Sequence, residues 1–180
     1  MRKLYRIARE EHARTPEIAL SGVGGLRAPG RWQDQAVPLI YAASSRSLAL
    51  IEIMVHLDTA DPASLADRRW IEITIPDGVA WEAVNAELMD GFDPAWTNPD
   101  AKSCKSFGGD WIRSRSTALL QVPSAIIPEE TNWLINPAHQ DFEAILEATR
   151  IDWATRPVRW DARVTAMVTA LSERRARGPA

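Results

Sequence analysis

The sequence has a single cysteine, no long apolar run and no excess of basic residues. One cysteine, Cys104, excludes a disulfide framework within the chain and favours an intracellular protein. No segment approaches the roughly 18 consecutive apolar residues of a transmembrane helix. The N-terminal segment MRKLYRIARE lacks the apolar core of a signal peptide. We therefore expect a cytoplasmic protein that does not contact a membrane.

The net charge and the length of the chain bear on nucleic-acid binding and on the number of domains. The formal net charge is -3, which argues against nonspecific electrostatic binding of nucleic acid, because such binding needs a basic face. We therefore expect no nucleic-acid contact by this chain alone, although a local basic patch stays open. A length of 180 residues favours one domain, residues 1–180.

Strand and helix patterns mix along the chain without regular β-α-β alternation, which predicts an α+β fold. Residues 77–100 are rich in Asp, Asn, Pro and Gly and predict a loop with a short helical piece at 83–88. Residues 165–180 predict a C-terminal helix with a basic last turn, a candidate docking element. Strands are predicted in YRIA, VPLIYAA, RRWIEITIP, residues 118–127 and TNWLINP, and helices from Ser44 or Ser45 to His56, from Asp110, and in QDFEAILEAT.

The glycine-rich segment SGVGGLRAPGRW, residues 21–32, suggests a phosphate-binding loop at first sight. A dinucleotide fingerprint needs a helix directly after its glycines, but RWQDQAVP leads to a proline and a strand. A Walker loop would need Gly-Lys-Ser or Gly-Lys-Thr, which the segment lacks. The glycines therefore predict a tight turn. Arg31, just after the last glycine, could bind a phosphate through its planar fork.

Glu52 is a carboxylate in an apolar helix. In LALIEIMVHL, residues 48–57, only Glu52 and His56 are polar, and their i, i+4 spacing places them on one helix face. A solvent-facing pair, a carboxylate held in a cleft for chemistry, and a shared metal ion all fit this spacing. His12 and His139 are isolated in sequence, so no third ligand is apparent and we expect no metal.

Other polar residues interrupt apolar strands. Tyr41 ends the strand before the Glu52 helix, where it is either a packing residue or part of a cleft wall. Ser124 in QVPSAIIP and Asn136 in LINPAH are either tolerated strand residues or ligands. Cys104 is flanked by Lys102 and Lys105 but has no histidine nearby in sequence, which disfavours a nucleophilic role.

Four segments together resemble the RES-domain family, toxins of bacterial toxin–antitoxin pairs whose antitoxins are Xre-like proteins. The resemblance runs in order from Tyr5 to Arg163. The family is named for an Arg, a Glu and a Ser, which fall on Arg31, Glu52 and Ser124, and its active-site tyrosine falls on Tyr41. The segments are GGLRAPGRW, PLIYAASSRSLALIEIMVHL, LLQVPSAIIPEETNWLINPAH and RWDARV.

The resemblance implies a fold like the ADP-ribosyltransferase toxins, in which two small mixed or antiparallel sheets, flanked by helices, form a cleft for NAD+. It implies that NAD+ is consumed as a substrate and that an Xre-like antitoxin is a partner. Family members include NAD+ hydrolases, phosphorolytic enzymes and ADP-ribosyltransferases, so water, phosphate or a protein side chain could accept the ADP-ribose. Leu50 stands where arginine-specific transferases carry the first Glu of Glu-x-Glu.

The implied chemistry fits these residue types. Cleavage of the nicotinamide–ribose bond creates an oxocarbenium-like centre, which the Glu52 carboxylate would stabilise. Arg31 would hold a phosphate, and Tyr41 would stack on the cationic nicotinamide ring. Ser124 and Asn136 would bond ribose or carboxamide. A non-catalytic binding module is the alternative of another class. A ribonuclease is disfavoured by the acidic charge and the lack of a histidine pair.

Overall fold

The computed structural model describes residues 1–34, 36–55, 67–98, 101–151, 153 and 155–176. The strands of this part of the chain form one mixed sheet in the order β4-β5-β6-β2-β1-β3-β7, in which only β4 and β5 pair in parallel. Their bounds are β1 Arg2–Arg9, β2 Ile40–Ala43, β3 Arg68–Ile75, β4 Trp81–Ala83, β5 Leu119–Pro123, β6 Thr131–Ile135 and β7 Thr155–Pro157.

The helices cover both faces of the sheet, which confirms the α+β class. A 3-10 turn at Glu10–His12 follows β1 directly. No helix within the described ranges is long and apolar enough to cross a membrane. The α-helices are α1 Pro16–Ala19, α2 Val23–Arg27, α3 Arg46–Val55, α4 Ala86–Phe92, α5 Lys102–Ser114, α6 Phe142–Ile151 and α7 Ala162–Ala176.

The sheet is a correction to the expectation of two small sheets. It consists of two well-paired halves, β4-β5-β6-β2 and β1-β3-β7, which meet at the single Cα pair Tyr5↔Ala43. Strand β1 pairs with β3 along its whole length, whereas β2 ends at Ala43, where the chain turns into α3. One sheet therefore results because this short contact is enough to connect halves that otherwise separate.

Helix α3 lies across that junction. The register runs from Glu72 through Tyr5 and Ala43 to Asn132, so one row of residues crosses both halves. Leu48 and Ala49 of α3 pack against Ala43 in this row. The helix begins as predicted, because Ser45 Oγ accepts a hydrogen bond from Leu48 N at 3.1 Å. His56 lies outside the described residues, and so does the predicted pairing of Glu52 with His56.

The main core fills the opposite face of the sheet, where apolar residues of β1, β2, β3 and β6 pack against Ile145 and Leu146 of α6. Buried Thr149 joins α6 to β3, since its Oγ1 accepts from Thr74 N at 3.1 Å. A second cluster lies under the segment before β2 and the segment after β4, and it contains Trp32, Trp96 and Trp111. All three of these tryptophans are buried.

Three element boundaries differ from the sequence prediction. Helix α5 begins at Lys102 rather than near Asp110, because Cys104 and Gly108 belong to its buried face. The strand predicted at 118–127 ends at Pro123, where Ser124 begins a turn. Residues 77–100 contain the short strand β4 and the helix α4 in addition to turns.

Candidate functional site

The site is centred on the carboxylate of Glu52. Its Oε1 accepts two hydrogen bonds, from Ser124 Oγ at 2.8 Å and from Asn132 Nδ2 at 2.5 Å. Within the residues that the structure describes, Oε2 has no hydrogen-bond or ion-pair partner. The carboxylate is thus oriented by neutral donors and keeps one oxygen available, which fits the interpretation of a carboxylate held for chemistry.

Ser124 is fully buried and its hydroxyl group is completely engaged. Its oxygen accepts from the backbone N–H groups of Ile126 and Ile127, both at 3.1 Å. Because these two bonds use the acceptor capacity of the oxygen, the hydroxyl proton is directed at Glu52. The structure therefore brings Ser124 to Glu52 as a fixed donor.

Asn132 is a site residue that sequence reasoning missed. It lies on β6 opposite Ala43 of β2, and Ala43 packs under α3. The small side chain of Ala43 leaves room for the contact between Asn132 and Glu52. The available signal was a polar residue in the apolar strand TNWLI, but the sequence analysis selected Asn136 from the same region.

Asn136 is buried at the other end of β6, and no contact among the described residues links it to Glu52. Its Nδ2 donates to Ile112 O at 3.2 Å, and its Oδ1 accepts from Ala138 N at 3.0 Å. Both ends of the amide therefore hold the turn after β6. The structure does not bring Asn136 into the site, and its role as an NAD+ ligand stays a prediction.

Arg31 ties the glycine-rich segment to the loop after α4. Its Nη1 donates to Trp96 O and to Asn98 O, both at 2.8 Å. These bonds fix the position of the guanidinium on two backbone carbonyls. Both bonds use Nη1, so the N–H groups of Nε and Nη2 take no part in them.

Tyr41 holds the end of the glycine-rich segment through its hydroxyl group. Its hydroxyl donates to Gln33 Oε1 and accepts from Trp32 N at 3.1 Å. Burial raises the pKa of the Tyr41 phenol above its ordinary value. A Cβ at Gly30 would lie 2.4 Å from Tyr41 Oη, so only glycine fits there. Stacking of this ring on nicotinamide stays a prediction.

The other glycines also allow close backbone contacts. Gly22 has φ +67 and precedes the unpredicted helix α2, which contains Gly24 and Gly25. A Cβ at Gly25 would lie 2.2 Å from Val37 O, whereas a Cβ at Gly24 would meet nothing within 4 Å. Gly22 and Gly25 thus allow a close approach to residues 37–39, but the segment contains the helix α2 where the sequence predicted a turn.

Arg6 is a basic residue inside the apolar strand β1. It follows Tyr5 on β1, beside the junction between the two half-sheets. Burial lowers the pKa of its guanidinium, and it has no hydrogen bond or ion pair within the described ranges. Strand alternation places Arg6 with Leu4 and Ala8 on the face of β1 opposite Tyr5, so it does not join the Glu52 site.

The remaining reactive side chains do not join the site. Cys104 is buried in α5, and burial raises the pKa of its thiol, which disfavours a nucleophilic role. The buried His139 accepts from Asp141 N at Nδ1, at 3.0 Å, while His12 is half-exposed beside Glu11. No group of three or more His, Cys, Asp or Glu suited to a metal occurs within the described part of the chain.

Comparisons with known proteins show which proteins this chain is similar to. The model of the RES domain family matches residues 3–161. The Prs ADP-ribosylating toxin of Sphingobium sp. (strain YBL2) is 43% identical over 157 residues, which cover 85% of this chain and 93% of that toxin. The protein named Toxin Res of Pseudomonas putida is 37% identical over 120 residues, 67% of this chain and 79% of that one.

A solved structure shares the fold. A chain in the crystal structure of the M. tuberculosis MbcT–MbcA toxin–antitoxin complex superposes with a TM-score of 0.64 at 20% identity. The match covers 96% of this chain and 90% of that one. At this identity, the likeness concerns the arrangement of strands and helices.

Proposed function

Because the chain belongs to the RES-domain toxin family, we propose that it is the toxin of a toxin–antitoxin pair and that it cleaves the nicotinamide–ribose bond of NAD+. The observation that carries this proposal is Glu52, whose Oε1 is fixed by Ser124 and Asn132. Its second oxygen is left to face a substrate.

The chemistry needs only one carboxylate. When the bond between ribose C1′ and nicotinamide nitrogen breaks, its electron pair leaves with nicotinamide, which was already cationic and becomes neutral. No general acid is required, and positive charge develops on the ribose. A carboxylate held in place before the reaction stabilises that charge by ~3 kcal/mol or more. Ser124 and Asn132 hold Glu52 without adding a neighbouring positive charge that would weaken this effect.

We assign substrate binding to Arg31, Tyr41 and Asn136. Arg31 holds a phosphate of NAD+ through the part of its fork that Trp96 and Asn98 leave open. Tyr41 stacks on nicotinamide, and Asn136 is retained as a predicted ligand of ribose or carboxamide. The cleft for NAD+ then lies where the halves diverge beyond Tyr5 and Ala43.

The acceptor of ADP-ribose is water, phosphate or a protein side chain. The name of the Sphingobium relative, Prs ADP-ribosylating toxin, favours a protein as the second candidate. The acceptor nucleophile bonds to C1′ and loses its proton to solvent. Leu50 removes the Glu-x-Glu arrangement of arginine-specific transferases, which favours acceptors other than arginine.

An antitoxin partner follows from the same premise. The chain that shares this fold comes from a toxin–antitoxin complex. We propose that an Xre-like antitoxin inhibits this chain in the cytoplasm, where its substrate NAD+ occurs. It would cover Arg31 or the segment 77–100, and the C-terminal helix Ala162–Ala176 would contribute to docking.

Product analysis tests the proposal. Purified protein freed of antitoxin is incubated with labelled NAD+, with and without phosphate, and with and without cell lysate. Free nicotinamide should appear. Free ADP-ribose indicates hydrolysis, its phosphate ester indicates phosphorolysis, and a discrete labelled protein indicates transfer. Unchanged NAD+ in every arm, together with partner binding that is lost on deletion of residues 165–180, would instead support the non-catalytic binding module.

A further inference from the structure

A second cleft, which we call the arginine cleft, lies beside the start of α3, on the β1-β3-β7 half of the sheet. Its volume is about 570 Å³, within the range of roughly 300–1,000 Å³ that small-molecule sites occupy. Three of its lining residues are basic, Arg46, Arg156 and Arg159, and the others include Tyr5, Trp70 and Glu72. It is separate from the Glu52 site, which contacts the β6 half.

The cleft has more cations than its one carboxylate neutralises. Arg46 Nη2 lies 2.7 Å from Glu72 Oε2, and Lys3 Nζ lies 3.6 Å from Glu72 Oε1. Arg156 and Arg159 are exposed and have no hydrogen bond or ion pair among the residues that the structure describes. In a chain of net charge -3, this local excess indicates a site for an anion.

The strands of the β1-β3-β7 half also contribute basic residues. Lys3 of β1 and Arg68 of β3 alternate onto the cleft face with Tyr5 and Trp70, whereas Arg2 lies over Trp133 on the other face and Arg69 pairs with Glu10. Strand β7, TRP, adds Arg156. An anion that approaches the cleft therefore meets a positive potential before it makes contact, which raises its local concentration.

The walls of the cleft add aromatic surface. Trp70 is the Cα partner of Arg156 across β3 and β7, so their side chains are neighbours on one face. Trp70 and Tyr5 pack against the Ala43–Leu48–Ala49 cluster, and Arg46 Cζ lies 4.5 Å from the centre of the Tyr5 ring. These contacts hold Arg46 and the two rings in place without using Arg156 or Arg159.

We propose that the arginine cleft binds a phosphorylated ligand of mononucleotide size, with the phosphate on Arg156 and Arg159 and the base or sugar against Trp70. Guanidinium groups suit phosphate because they offer paired N–H donors. The ring supplies a flat apolar surface for the rest of the ligand. This site is additional to the proposed NAD+ site and does not depend on NAD+ cleavage.

Calorimetric titration with AMP tests the proposal, with adenosine and inorganic phosphate as partial ligands. AMP should bind the full-length chain more tightly than either part. The double substitution Arg156→Gln/Arg159→Gln should weaken AMP binding about tenfold or more, because charge-assisted hydrogen bonds are lost. The double variant Arg113→Gln/Arg150→Gln removes the same charge from exposed positions and should retain nearly all of the affinity.

A second measurement locates the base or sugar. Trp70→Phe keeps an aromatic wall, so AMP should still bind while the change in tryptophan fluorescence on binding is lost. Absence of AMP binding at about 10 mM, a level that detects millimolar affinity, would overturn the proposal. Equal weakening in both double variants would also overturn it, because the effect would then be general charge. Failure of NAD+ cleavage would leave these results unaffected, since no turnover is measured.

Discussion

At one side of α3, the carboxylate of Glu52 is held by the neutral donors Ser124 and Asn132. At the other side, the guanidinium of Arg46 is held by the carboxylate of Glu72. Both residues line the arginine cleft, where arginines outnumber carboxylates. The same helix thus presents a negative charge to the β6 half of the sheet and a positive charge to the β1-β3 half. The difference indicates two tasks, stabilisation of a developing cation and binding of an anion.

Burial differs between the two sides in the same way. Ser124 is fully buried, so its hydrogen bond to Glu52 is shielded from water and from salt. Arg46 and Glu72 retain 51% and 26% exposure, so their ion pair is weak and is screened by salt. Substitutions should therefore have large effects at the Glu52 site and small effects at the start of α3.

Among the residues that surround Glu52, the largest effect is expected for Ser124→Ala. The change removes the donor to Glu52 and leaves the N–H groups of Ile126 and Ile127 without their acceptor. Nicotinamide release should fall about 10²-fold, and the free energy of unfolding should fall by ~1–3 kcal/mol. Steady-state rates and urea denaturation measure the two effects. Ser116→Ala, at an exposed position, is the control, and a wild-type rate in Ser124→Ala would contradict the site.

The glycine-rich segment packs closely against the chain that leads into β2, so Gly25→Ala should lower stability. The new Cβ would lie 2.2 Å from Val37 O, and relief of this clash should cost ~1–3 kcal/mol of stability. Gly24→Ala, one position earlier in α2, meets nothing within 4 Å and should be neutral or stabilising by up to ~1 kcal/mol. Thermal unfolding separates the variants, and equal midpoints would disprove the close approach.

Asn132→Ala and Asn136→Ala compare the two ends of β6. Loss of Asn132 frees the Glu52 carboxylate from one of its donors and should lower the rate of nicotinamide release about tenfold, which is ~1.4 kcal/mol. Loss of Asn136 removes contacts to Ile112 and Ala138 and should lower stability by ~1–2 kcal/mol. If a fully folded Asn136→Ala protein lost more of its rate than Asn132→Ala, the result would support the predicted role of Asn136 as an NAD+ ligand.

The smallest effect is expected for Arg46→Gln. The ion pair with Glu72 is half-exposed, so its loss should lower the free energy of unfolding by at most ~1 kcal/mol. The difference from wild type should shrink further as salt is raised, because exposed charges are screened. Urea denaturation at low and high salt measures it. A loss that is larger or insensitive to salt would show that the two sides of α3 do not differ in solvation.

Much of the fold was predictable because its signals are local. Alternating apolar residues marked β1 and β3, and Ser45 marked the start of α3. The start of α5 was not predictable, because KSCKSFGG has few apolar residues and its glycines reflect a contact with distant Trp32, where a Cβ at Gly108 would lie 2.1 Å from the carbonyl oxygen. The single Tyr5↔Ala43 pair that unites the halves also has no local signal.

The residues of the site also differ in whether the sequence alone reveals them. Glu52 was recognisable because a carboxylate interrupts an apolar helix, and Ser124 through the family motif. Asn132 and Asn136 were indistinguishable by pattern, because both interrupt β6 or its end and their spacing places them on the same face. Only the register that sets Asn132 opposite Ala43, under α3, decides which of them reaches Glu52.

The most direct test of the account is the rate of nicotinamide release from NAD+ by Glu52→Gln, compared with wild type and with Glu147→Gln at an exposed position of α6. The amide keeps the size of the side chain but removes the negative charge that would stabilise the ribose cation. The account predicts a fall of about 10²–10³-fold for Glu52→Gln and a wild-type rate for Glu147→Gln. A wild-type rate in a folded Glu52→Gln protein would contradict it.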